Sequence, residues 1–105
     1  GRDPSYGRGP PDPEAAPLQR QIVWGKEITR RDITAEEILA LFEKDGHLFD
    51  ARNVATAVHR VGKFGGRRVG SDKRLRSLAR ACARKMSRFN CQGISNTAWG
   101  FAKTG

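Results

Sequence analysis

From Thr34 onward, apolar residues recur at intervals of three and four, the spacing of helices that bury one face. Thr34-Ala35-Glu36-Glu37 is a capping-box pattern. In it the threonine oxygen accepts the third helical N–H and the glutamate reaches back. Ala35, Ile38, Leu39, Leu41 and Phe42 then share one side, and Gly46 is read as the stop. A second helix opens at Asp50 and places Ala51, Val54, Ala57, Val58 and Val61 inward, with Gly62 expected to end it. Beyond a glycine-rich connector at 65–72, a third helix is predicted over Lys73 to Arg88, with Leu75, Leu78, Ala79, Cys82 and Met86 inward. A fourth, starting near Asn90, is expected to bury Cys91, Ile94, Thr97, Ala98 and Phe101. The pattern predicts an all-α chain of tandem antiparallel helix pairs.

The N-terminal segment has no such periodicity. Residues 1–17 contain all five prolines and read as a disordered lead-in, with its boundary drawn at residue 21. Ile22, Val23 and Trp24 form a short apolar patch before Gly25, expected to cover the exposed end of the first helix pair. The resulting division is a lead-in at 1–21, a cap with the first pair at 22–66, and a second pair at 67–105. Mean hydropathy is −0.64 and only 37% of the 105 residues are hydrophobic, so there is little material for a core. The chain is expected to be a piece of something longer. No apolar run approaches the ~18–20 residues that span a bilayer, and membrane insertion is not expected.

Charge separates the two halves. The net charge is +9, but residues 1–50 carry a net −3 and residues 51–105 a net +12, with Asp72 the sole acid of the second half. That asymmetry points to a polyanion, a nucleic acid or an anionic membrane surface; a solvated basic surface gives the same composition. Cys82 and Cys91 have no CxxC spacing and no ligand spacing to His47 or His59, so neither a metal site nor any cofactor is expected.

An internal repeat orders these elements. Residues 49–65, FDARNVATAVHRVGKFG, align without a gap on residues 89–105, FNCQGISNTAWGFAKTG, forty residues later. Phe49/Phe89, Lys63/Lys103 and Gly65/Gly105 are identical, and the caps Asp50/Asn90 and core positions Val54/Ile94 and Val61/Phe101 correspond. The run Phe-Asn-x-Gln-x-Ile-x-Asn-Thr-Ala-Trp-x-Phe-Ala-Lys-x-Gly at 89–105 resembles the second helix of octotricopeptide-type repeats. It also resembles the related repeats of the Fas-activated serine/threonine kinase-like organellar RNA-binding family. Residues 50–64 resemble a degenerate opening repeat, with His59 at the tryptophan position. The resemblance covers about 34–105. It implies an α-solenoid of the chloroplast or mitochondrion that binds single-stranded RNA and acts in its stability, processing or translation.

The third predicted helix carries the candidate phosphate contacts. With Arg76 at zero, Arg80, Arg84 and Arg88 fall at about 40°, 80° and 120° and Lys73 at about 60°, opposite the apolar side. The stripe runs ~18 Å, a length suited to several phosphates of one strand. Arg67 and Arg68 in the connector are further candidates, although residues 62–71 lack both the phosphate-loop spacing and a preceding strand. Asn96 and Thr56, at matching polar positions, are candidate base contacts. Trp99 lies off the centre of its apolar face, and packing between repeats is favoured over base stacking. The same holds for His59. No nucleophile–base constellation is present, so neither an enzyme nor a small-molecule substrate is predicted. A protein–protein scaffold is the alternative to RNA binding, because α-solenoids serve both uses.

Overall fold

The computed structural model describes residues 13–105, which contain five α-helices and no strand. They are α1 (Leu18–Ile28), α2 (Ala35–Asp45), α3 (Ala51–Gly65), α4 (Lys73–Arg84) and α5 (Cys91–Lys103). Short 3-10 turns at Gly46–Leu48, Gly66–Val69 and Met86–Arg88 lie between α2 and α3, α3 and α4, and α4 and α5.

The predicted caps form. Glu37 N–H donates to Thr34 Oγ1 at 3.1 Å and Thr34 N–H donates to Glu37 Oε1 at 3.0 Å, closing the capping box of α2. Asp50 Oδ1 accepts Asn53 N–H at 2.9 Å, and Asn90 Oδ1 accepts Gly93 N–H at 2.8 Å. The two repeats therefore open their second helices with the same Asx cap. The faces expected on α2 and α3 are inside: Ala35, Ile38, Leu39, Phe42, Ala51, Val54, Ala57, Val58 and Val61 are buried, and Leu41 is half-buried.

α3 is the centre of the molecule and packs against every other helix, while α2 and α4 also pack on each other. Phe49, on the entry to α3, is fully buried between Trp24 and Phe42, with ring centroids 5.1 and 6.0 Å away. The chain also brings its backbones together at one place: a Cβ on Gly62 would overlap the Gly100 backbone, and one on Gly100 would overlap the Val58 carbonyl.

Four expectations are corrected. Residues 18–21, read as part of a disordered lead-in, belong to α1, while residues 1–12 of that lead-in lie outside the described residues. The helix was hidden because it buries Gln21, Trp24 and Ile28, leaving Ile22 and Val23 of the apolar patch exposed. Gly62 does not end α3. The helix runs on to Gly65 and stops at Gly66, whose φ of 55° suits glycine, and Gly62 serves the close approach to α5 instead.

The third predicted helix stops at Arg84 rather than Arg88, as Lys85 N–H bonds back to the Ala81 and Cys82 carbonyls and a 3-10 turn follows. Met86 therefore leaves the helical register and is exposed; Ala79 is exposed too, with Ala81 buried in its place. In α5, Cys91, Ile94 and Ala98 are exposed, and Thr97 and Gly100 are buried. The backbone contact at Gly100 sets this rotation: Cys91, Ile94 and Ala98 lie about 120–180° round the helix from it.

Candidate functional site

Among the sequence-predicted phosphate contacts, Lys73, Arg76, Arg80 and Arg84 remain one exposed stripe on α4 and make no ion pair with any described residue. Lys73, Arg80 and Arg84 line an open groove of 340 Å³ with Ser77, facing Phe42, Glu43 and His47 at the end of α2. Arg74, the neighbour the stripe excludes, is structural. Its guanidinium donates to Glu36 at 2.6 and 2.8 Å and to Asp72 at 2.8 and 3.0 Å, fastening α4 to the start of α2. This pairing holds the Asp72 carboxyl at about 2, below its ordinary value.

Arg67 and Arg68 sit apart from the stripe on the turn after α3. Arg68 donates to the Phe64 carbonyl at 3.1 Å and the Gly65 carbonyl at 3.4 Å, satisfying the end of α3. Arg88, which leaves the stripe because α4 stops early, enters a polar groove of 240 Å³ between α3 and α5. Thr56 and Asn96 line that same groove, with Arg52, Phe89, Asn90 and Gln92. The Thr56 hydroxyl donates to the Arg52 carbonyl at 2.9 Å. On the other side of α3 a second groove, of 260 Å³, again includes Arg52 and Thr56, with Lys26 and Thr29 of α1 and its C-cap.

Sequence reasoning missed how these positions form a set. Arg52, Thr56, His59 and Lys63 lie within about 60° of arc on α3. Gln92, Asn96, Trp99 and Lys103, each forty residues later, do the same on α5. The fold lays the two stripes side by side. Arg52 and Thr56 share a groove with Gln92 and Asn96. One turn further on, the His59 and Trp99 rings meet with centroids 4.7 Å apart at 37°. Lys103 Nζ stands 5.2 Å from the indole centroid. Burial, then Lys63 and Arg60, push the His59 pKa down and favour its neutral form. The signal was available in the repeat alignment, which pairs all four positions.

Of the two thiols, Cys82 is buried on the inner side of α4 and burial pushes it up to about 12; Cys91 is exposed. Among the described residues, no group of three or more His, Cys, Asp or Glu side chains is placed to hold a metal ion, and no helix is long and apolar enough to cross a membrane. Comparison with protein-family models, curated proteins and solved structures finds no match.

Proposed function

We propose that this chain is a single-stranded RNA-binding helical-repeat module of octotricopeptide type, the start of an α-solenoid in an organellar factor for RNA stability, processing or translation. One observation carries the reading: repeat-equivalent polar, aromatic and cationic residues of α3 and α5 stand side by side on one face. An unpaired strand offers that face phosphates for Arg52, Arg88, Lys63 and Lys103, and base edges for Thr56 and Asn96. Arg84 lines the groove between α2 and α4, and Arg88 lines the separate groove between α3 and α5.

The test is the salt dependence of binding to a single-stranded oligoribonucleotide. Each phosphate contact contributes about 0.7 to the slope of log affinity against log salt. Replacing Lys73, Arg76, Arg80 and Arg84 by alanine should flatten the slope by about 3 on the same basis. Replacing Thr56 and Asn96 should weaken binding with the slope unchanged. An intact chain that binds no RNA at low salt would leave the second reading, a protein-binding scaffold, which the exposure of Met86 and Ile94 around α5 favours.

A further inference from the structure

His59 and Trp99 stand forty residues apart in the sequence alignment, and their rings meet across the seam between α3 and α5 at a tilt of 37°. Trp24, packed on Phe49, is 6% exposed, whereas Trp99 is 41% exposed. The surroundings of the indole are cationic. Lys103 stands over its ring, and Lys63 and Arg60 are close enough to His59 to affect its protonation. None of these three cations makes an ion pair with a described residue. Arg60 and Lys63 lie over the Phe64 ring at 5.5 and 5.7 Å, so the cations here meet aromatic faces rather than carboxylates. A partly bare aromatic surface among such cations matches a nucleotide in both its parts, the flat base and the charged phosphate.

We propose that the His59–Trp99 pair is a stacking platform for one unpaired base of a single-stranded RNA, with Lys63 and Lys103 on the flanking phosphates. This rests on the RNA-binding reading and adds to it a base-contacting site outside the Thr56–Asn96 groove. The base extends the ring stack and displaces the Lys103 ammonium, whose flexible stem lets it swing to a phosphate. His59, held neutral at pH 7, serves as a flat ring without adding charge to a cluster already rich in it. Stacking accepts any base, so the platform supplies affinity while the groove one turn away reads base edges.

The 105-residue chain provides the readout, since Trp99 is its exposed indole and Trp24 a buried background. Tryptophan emission is followed as a ten-nucleotide oligoadenylate is added, and again with an abasic strand of equal length and charge. The oligoadenylate should quench the Trp99 emission; the abasic strand should bind more weakly and leave emission unchanged. Trp99→Ala should lower oligoadenylate affinity by roughly tenfold to a hundredfold, the range of one aromatic–base stack, without altering the salt slope. Trp99→Phe, which keeps a stacking face, should recover part of the loss, and Lys63→Ala with Lys103→Ala should instead reduce the slope by about 1.4. Binding of oligoadenylate without quenching, or with the affinity of Trp99→Ala equal to that of the parent chain, overturns the platform while RNA binding stands. Failure of the parent chain to bind either strand at low salt removes both.

Discussion

Gln21 shows how much a single polar side chain can hold. It is 2% exposed. Its amide donates to the Ala16 and Leu48 carbonyls at 2.9 and 2.6 Å. Its Oε1 accepts Asp50 N–H at 2.9 Å and Asn53 Nδ2 at 3.0 Å. Asn53 Nδ2 also donates to the Gln21 carbonyl at 2.8 Å. This one carboxamide joins α1 to the entry of α3. Gln21→Ala leaves several buried groups unpaired and should destabilise the chain by about 2–4 kcal/mol, measured by urea unfolding. The thiols give a second residue-scale prediction. At pH 8 a disulfide reagent should label Cys91 rapidly and Cys82 only at the rate of unfolding, so two fast thiols per folded chain would contradict the buried position of Cys82. His59 gives a third. Its folded pKa lies below the ordinary 6.5, so the unfolded chain binds the proton more readily between the two values. Stability should fall as pH drops below about 6.5, and His59→Gln should remove that part of the slope in melts between pH 7 and pH 5.

Between elements, the decisive contact is made by atoms that carry no side chain. α5 meets α3 where Gly62 and Gly100 bring the two backbones together, and a methyl group there would strike main-chain atoms that cannot turn aside. Gly100→Ala should cost about 1–3 kcal/mol by forcing the helices apart. It should also widen the His59–Trp99 stack, so the thermal midpoint falls and Trp99 emission shifts together. Ser95→Ala, an exposed change on the same helix, should move neither. By stopping at Arg84, α4 releases Arg88 from the stripe and delivers it to the groove with Thr56 and Asn96.

Across the whole molecule, the split in charge becomes a difference between surfaces. The acids of the N-terminal half are partly consumed in fastening elements. Glu37 closes the α2 cap, Glu36 receives Arg74, and Arg30 is paired with Glu27, Asp32 and Glu37. On α4, Lys73, Arg76, Arg80 and Arg84 make no ion pair with a described residue. On that basis the affinity for a single strand should fall steeply with salt, and neutralising the α4 stripe should flatten the dependence.

The sequence by itself determined the existence of α2 to α5 and the caps of α2, α3 and α5. Local hydrogen bonds at Thr34, Asp50 and Asn90 and the three-to-four spacing of apolar residues are contained within a few residues of chain. The same locality made the forty-residue correspondence of Asp50 with Asn90 and of Thr56 with Asn96 readable. Tertiary structure alone decided which way α5 turned, where α4 stopped, and that a proline-preceded segment with a polar buried residue became α1. A helix's rotation is fixed by the closest approach its neighbour permits, and here that was set by two glycines distant in sequence. Periodicity records that α5 has an apolar side, with Ile94 and Ala98 on it. It does not record that backbone contact at Gly100 gains more by facing α3, which leaves those residues exposed and stands Trp99 beside His59.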